Sequence, residues 1–129
     1  MPIDYRYEPQ YSAILVKAFG VLTLKDIIDH LAAVASDGRV SADHVTLFDT
    51  SDVSEMRLSS ADIAEISSYT QAHPSDKIIA RKLAIITRGS RETTLAEEYE
   101  RFAATFRENT IVFYNRDVAC KWLGIPENL

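Results

Sequence analysis

Two carboxylates, Asp49 and Asp52, follow a short apolar run and are the first side chains in this sequence that could serve as acid and base. The same pair suits a turn equally well, because aspartate side chains accept hydrogen bonds from nearby backbone amides. We favour the turn, and we expect Asp49, Ser51 and Asp52 to form a loop at the end of a strand.

A basic group surrounds the start of a later helix. Arg88 and Arg91 flank Gly89 and Ser90, and Arg116 opens the helix after that. Guanidinium groups, backbone amides and the helix dipole together could bind a phosphate or a carboxylate. The alternative, which we favour, is that these arginines pair with aspartates at the same edge of the molecule. Neither a GxGxxG nor a Walker sequence is present to indicate a nucleotide.

No residue pattern indicates a metal, a cofactor or a nucleophile. The histidines His30, His44 and His73 are far apart and lack the spacing of zinc ligands. Cys120 is the single cysteine, so an internal disulfide is excluded, and no histidine partner for its thiol can be identified. We therefore expect no metal, no cofactor and no enzymatic activity, with binding as the function.

Length and composition predict one globular domain over residues 1–129. The chain is 47% hydrophobic and 26% charged, as in ordinary globular proteins. Its net charge of -5 and scattered basic residues argue against nucleic-acid binding. No apolar run suits a signal peptide or a membrane span, and one cysteine fits a reducing cytoplasm. We expect a cytoplasmic protein.

Alternating strands and helices must position these residues. A period of two over 3–7 predicts an edge strand, and the apolar run 11–19 predicts its hairpin partner, ending at Gly20. Each later strand precedes an amphipathic helix. These strands are predicted over 45–48, 82–87 and 111–114. The order β-β-α-β-α-β-α-β-α predicts an α/β domain with a mixed, mostly parallel five-stranded sheet and four helices.

Two groups of aromatic residues have more than one interpretation. One group is a regularly spaced helical stripe, which predicts core but could also line an apolar pocket. The other lies near the start of the chain and could form a homodimer face. The stripe consists of Leu95, Tyr99, Phe102 and Phe106, and the second group of Tyr5, Tyr7 and Tyr11.

The run Leu47-Phe48-Asp49-Thr50-Ser51-Asp52-Val53-Ser54, followed by Leu58-Ser59-Ser60-Ala61-Asp62, resembles the STAS-like domains, which are relatives of bacterial anti-sigma factor antagonists. The resemblance covers nearly the whole chain and implies a SpoIIAA-like fold. It also implies that Ser59 and Ser60 are candidate phosphoacceptors, because the antagonists are phosphorylated at the start of the second helix. The family's Asp-Ser-Ser-Gly run here reads Leu58-Ser59-Ser60-Ala61, without the acid and the glycine. The alternative role of Ser59 is a helix cap with Asp62.

The resemblance implies a non-enzymatic regulatory domain that binds a protein partner. Its binding surface would be the start of the second helix and the loop containing Asp49, Ser51 and Asp52. The alternative is a carrier of a small molecule or lipid in an apolar pocket beneath the helices, as the SEC14-like branch of these domains implies. A buried cavity would distinguish the carrier from the interaction domain.

Overall fold

The computed structural model describes residues 2–106 and 108–129. Strands and helices alternate in the predicted order within these residues. The strands are β1 (Ile3–Glu8), β2 (Ala13–Thr23), β3 (Val45–Arg57), β4 (Lys82–Ile86) and β5 (Asn109–Phe113). The helices are α1 (Leu24–Ala35), α2 (Ser60–Ala72), α3 (Ser90–Ala103) and α4 (Arg116–Leu123), with a short 3-10 turn over Asp76–Ile78.

The five strands form one sheet in sequential order, β1-β2-β3-β4-β5. β1 and β2 form an antiparallel hairpin, and the pairs from β2 to β5 are parallel. Single helices connect the parallel strands, as such connections require. The predicted mixed, mostly parallel sheet is therefore confirmed.

β2 and β3 are longer than the sequence pattern predicts. The predicted end of the second strand at residue 19 is wrong, because β2 continues to Thr23. Its pairing with β1 does stop at Ala18, and Gly20 lies at a register shift with φ of +64°. Glycine adopts this left-handed backbone without the penalty that a Cβ brings. The predicted loop at Asp49–Asp52 is also wrong. The backbone there belongs to β3 because β2 keeps pairing with β3 beyond the end of β4.

The two faces of the sheet carry separate apolar clusters. Alternate residues of β2 point to opposite sides, so Ile14 and Val16 join one cluster while Ala13 and Leu15 join the other. Helices α1, α2 and α3 cover the first face, and α4 covers the second. We call these the three-helix face and the α4 face.

The helix cap predicted at Ser59 is confirmed, and two other helices also begin at a side-chain cap. Thr23 and Ser59 each form a capping box, with Asp26 and Asp62 respectively. The side chain of Asn115 accepts bonds from two backbone amides of α4. These contacts satisfy amide groups that a helix leaves without internal partners.

The predicted aromatic stripe is only partly correct. Leu95 and Tyr99 are buried, and Phe106 packs against the core from beyond the end of α3, but Phe102 is 37% exposed. Ala103 takes the next buried position, because it lies four residues after Tyr99 on the same side of the helix. The buried positions of α3 at a spacing of four are therefore Leu95, Tyr99 and Ala103, and Phe102 is not among them.

Candidate functional site

A cavity of about 130 Å³ lies between the sheet and the helices of the three-helix face. Its walls come from β2, β3 and β4 below and from all three helices above. Most of its lining is aliphatic or aromatic. Prominent apolar lining residues are Ile14, Leu22, Leu31, Phe48, Ile63, Ile66, Leu83 and Leu95. The apolar pocket beneath the helices, which the alternative interpretation requires, is therefore present.

A buried carboxyl group stands at one part of the cavity wall. The two oxygens of Glu108 accept hydrogen bonds from the Tyr99 hydroxyl at 2.6 Å and the Ala80 amide at 2.9 Å. Burial raises the pKa of Glu108, and the two bonds to the carboxylate oppose that rise. Burial beside Glu108 likewise raises the pKa of Tyr99. The bonds of Glu108 to Tyr99 and Ala80 connect α3 with the segments that precede β5 and β4.

His30 lies on the buried side of α1 and lines the cavity. Its ring makes edge contacts with Tyr5 and Phe48, with ring centroids 5.4 and 6.0 Å apart. Neither ring nitrogen has a hydrogen-bond partner within residues 2–106 and 108–129. Burial lowers the pKa of His30 to about 4, so the imidazole is neutral at neutral pH.

A second buried histidine, His44, lines the same cavity but is held differently. Its Nδ1 atom is 2.9 Å from the carbonyl oxygen of Ser41. Because a carbonyl only accepts, Nδ1 carries the proton in the neutral ring and Nε2 is left as an acceptor. Burial lowers the pKa of His44, which favours this neutral form.

Ser59 and Ser60 are both exposed at the start of α2. The Ser59 hydroxyl accepts a bond from the Asp62 amide at 3.1 Å, so it acts as a cap. The Ser60 hydroxyl instead donates to Glu98 of α3 at 3.0 Å. A phosphate on Ser60 would lie against that carboxylate and repel it. Phosphorylation of either serine stays a prediction.

The acidic residues expected to face a partner make contacts within the domain. Asp49 accepts bonds from the Ser51 amide and hydroxyl at 2.8 and 2.6 Å, as a turn-forming aspartate does. Asp52 pairs with Lys17 of the neighbouring strand at 2.9 Å. This exposed pair adds little stability. A role for these residues in partner binding stays a prediction.

The arginines of the proposed anion site donate to separate carbonyl groups. Arg91 donates to the carbonyls of Met56 and Leu58, which joins the start of α3 to the end of β3. Arg88 donates to the Ser51 carbonyl, and Arg116 to that of Leu129 while lying 4.0 Å from Asp49. The Ser90 side chain is exposed at the same edge. The aspartate pairing that we favoured is thus limited to one loose contact, and anion binding stays a prediction.

The tyrosines near the chain start pack inward. The Tyr5 hydroxyl donates to Asp37 at 2.9 Å, and the Tyr7 hydroxyl accepts a bond from the Ser41 amide. Both rings pack against the core of the three-helix face, and Tyr11 packs against the cluster of the α4 face. A homodimer face built from these residues stays a prediction.

No family model matches the chain, and no curated protein matches it significantly. Among solved structures, it is similar to an uncharacterised protein of the DUF3478 family, with a SpoIIAA-like fold, from Shewanella loihica PV-4. That likeness has a TM-score of 0.60 and 19% identity, and covers 94% of this chain and 93% of the other. The chain has a SpoIIAA-like fold. The resemblance to STAS-like domains is therefore confirmed at the level of the fold.

Reactive and metal-binding groups are sparse in the described part of this SpoIIAA-like domain. Cys120 is a fully buried residue of α4, and burial raises the pKa of its thiol. Within the same residues, no three His, Cys, Asp or Glu side chains are grouped to hold a metal ion. None of the helices described there has both the length and the apolar character needed to cross a membrane.

The sequence analysis missed the polar residues of the cavity in this SpoIIAA-like domain. His30 could have been noticed, because it lies three residues after Ile27 and four before Val34, on the apolar stripe of α1. Glu108 gives a weaker signal, as a lone acid directly before a strand. A polar residue at an apolar position is the informative exception in such patterns.

Proposed function

We propose that this SpoIIAA-like domain binds a small apolar molecule in the cavity of the three-helix face. The observation that carries the proposal is the cavity itself, with its volume of about 130 Å³ and its mainly apolar lining. In another protein, an apolar cavity of about 150 Å³ stays dry and binds benzene or xenon. A ligand of this size would contact mainly the aliphatic side chains of the wall.

The volume of the cavity also limits the size of the molecule that the domain could carry. Pockets for drug-sized ligands measure roughly 300 to 1,000 Å³, well above the cavity described above. A long-chain lipid would need the helices to separate from the sheet. The proposal is therefore a molecule close to benzene in size, and not the lipid that the SEC14-like resemblance implies.

We further propose that the molecule is bound without being chemically changed. Several polar groups in the cavity wall have partners in the fold, which supports a structural role for them. The Thr50 and Thr70 hydroxyls donate to the carbonyls of Ile86 and Ile66, and Tyr99 donates to Glu108. The Cys120 thiol lies on the other side of the sheet.

Calorimetric titration with toluene tests the binding proposal. Ala96 lines the cavity, so Ala96→Leu should fill part of it and abolish toluene binding while leaving the domain folded. Ala32→Leu is the matched control, because it makes the same change at an exposed position of helix α1. We expect the wild type and Ala32→Leu to bind alike. Absence of toluene binding by the wild type would contradict the proposal, and so would equal binding by Ala96→Leu.

A second candidate function is a regulatory domain that binds a protein partner through the start of α2. The observation that favours it is the exposure of Ser59 and Ser60 at a helix N-terminus, where the dipole stabilises a phosphate dianion. The Ser60–Glu98 bond would be lost on phosphorylation, which would change the surface at the α2–α3 junction. Mass spectrometry of protein from its native cell tests this. Two unmodified serines under every growth condition would exclude the switch.

A further inference from the structure

Two buried side chains in the cavity wall differ from the other buried polar residues there. Within residues 2–106 and 108–129, the His30 ring and the Thr46 hydroxyl take part in no hydrogen bond, although both residues are buried and line the cavity. The buried His44, Thr50, Thr70, Tyr99 and Glu108 of the same wall each have at least one. His30 and Thr46 are thus the side chains of this wall that have no partner among the described residues, and the Nε2 acceptor of His44 is also left free for a ligand.

His30 offers the more versatile contact of the two. A neutral imidazole presents one N–H donor and one nitrogen acceptor. The edge contacts with Tyr5 and Phe48 hold the ring on the wall. A ligand hydroxyl matches either nitrogen, because a hydroxyl both donates and accepts.

The charged groups around the cavity argue against a charged ligand. Lys77 is the one cation among the lining residues that the structure describes, and its amine donates to the Asp37 carbonyl at 2.9 Å. Glu92 and Glu108 are the acids of the lining. The oxygens of Glu108 already accept two bonds. An anion would therefore meet two carboxyl groups, and any unpaired charge would lose its hydration in the apolar space.

We propose that the ligand is a neutral, hydroxyl-bearing aromatic molecule of about the size of phenol, whose hydroxyl bonds to the His30 imidazole. The aliphatic wall contacts the ring of the ligand, and His30 selects molecules with a hydroxyl over plain hydrocarbons. This inference rests on the proposed function, since it names the class of molecule that the same cavity takes.

Titrations of phenol and toluene into three proteins test the assignment. His30→Phe keeps an aromatic ring between Tyr5 and Phe48 but removes both nitrogens. Thr46→Val is the matched control, because it removes an unpaired hydroxyl of the same wall at nearly constant volume. We expect His30→Phe to weaken phenol binding roughly tenfold, the value of one hydrogen bond with a ligand in a buried site. Toluene binding should change by less than about threefold, since the apolar lining remains.

The outcomes separate this inference from the proposed function. If the wild type does not bind toluene, the binding proposal itself fails. If toluene binds but His30→Phe leaves the ratio of the phenol and toluene affinities unchanged, the binding proposal stands and the role of His30 is overturned. The role is also overturned if Thr46→Val, and not His30→Phe, weakens phenol binding.

A measurement on the unaltered protein guards against a variant that does not fold. The ¹⁵N resonances of the His30 ring should shift when phenol is added and stay nearly constant with toluene. His73 is the internal control, because it lies outside the lining and its Nδ1 accepts a bond from the Ser75 amide. A His30 ring that does not respond to bound phenol would overturn the assignment.

Discussion

The α4 face and the three-helix face of the sheet differ in their share of small and of polar side chains. On the α4 face, small residues allow the helix to approach the strands closely, and Ala13, Ala84, Ala119 and Cys120 are fully buried. On the three-helix face, larger branched and aromatic residues are mixed with buried polar groups such as His30 and Glu108. The cavity described above lies on this second side.

This difference indicates a division of tasks between the two faces. Close packing with small residues maximises dispersion contacts and leaves no room for a ligand. Large residues that meet across an open space, with unpaired polar groups among them, give up some of that stability. The α4 face therefore supplies rigidity, and the three-helix face is where a bound molecule would restore missing contacts.

The largest expected effect comes from adding volume to each face in turn. Ala84→Leu on the α4 face should destabilise the domain by about 3 kcal/mol or more, because a well-packed core has no space for the extra atoms. Ala96→Leu on the three-helix face should cost less than about 1 kcal/mol, since the cavity accepts the side chain. Urea unfolding of both variants measures the difference. Equal losses would mean that the two faces are equally well packed.

The second effect is a dependence of stability on pH that originates at His30. Its pKa is about 4 in the folded domain against 6.5 when unfolded, so the unfolded chain binds the proton first as the pH falls. The stabilisation is complete above pH 6.5, is lost between 6.5 and about 4, and amounts to about 2 to 3 kcal/mol. His30→Phe should remove this loss.

Comparing the wild type with His30→Phe separates the contribution of His30 from the contributions of the other titratable groups near it. His44, whose pKa burial also lowers, acts in the same direction. Glu108 acts in the opposite one, because its raised pKa adds stability as the pH falls below it. The Tyr5 ring contacts the His30 ring, and its hydroxyl, whose pKa is raised, stays neutral throughout. Parallel stability curves for the two proteins between pH 4 and 6.5 would contradict the buried, neutral state of His30.

A smaller contrast exists at the start of α2, at the rim of the three-helix face. Ser59→Ala should cost about 1 kcal/mol, because it removes a cap that bonds the Asp62 amide. Ser60→Ala should cost less than about 0.5 kcal/mol, since its exposed bond to Glu98 competes with water. Thermal unfolding distinguishes the two. A larger loss at Ser60 would show that the α2–α3 junction depends on that bond.

The smallest effect concerns a buried hydroxyl of β5. The Thr110 Oγ1 atom is buried without a hydrogen-bond partner in the described part of the chain. Thr110→Val should stabilise the domain by up to about 1 kcal/mol, because it removes an unpaired polar atom at nearly constant volume. Thr50→Val is the control and should destabilise by about 1 kcal/mol, since the Thr50 hydroxyl donates to Ile86. Denaturant midpoints measure both changes, and a destabilised Thr110→Val would contradict this interpretation.

The order of elements could be predicted from sequence because local signals mark it. Two capping boxes, each within four residues, predict the starts of two helices, and they are formed by Thr23 with Asp26 and by Ser59 with Asp62. The ends of β2 and β3 could not be predicted in this way. Their extension depends on pairing between strands that are distant in sequence. Without knowledge of that pairing, Gly20 predicts a turn.

The candidate site was harder to predict than the fold. Exposed residues with reactive side chains, such as Ser60, Asp52 and Arg91, stand out in a sequence, but each makes contacts within the domain. A cavity forms where the side chains of three helices and a sheet do not fill the space between them. It therefore cannot be predicted from any single residue. His30, a polar residue within an apolar stripe, gave the clearest local sign.

Diffraction from crystals pressurised with xenon tests the contrast between the faces most directly. Xenon enters apolar cavities of about the size described above without needing any polar partner. We predict one xenon site on the three-helix face, among Leu22, Leu31, Ile63 and Leu95, and none between α4 and the sheet. Xenon bound under α4, or none bound on the three-helix face, would contradict the account.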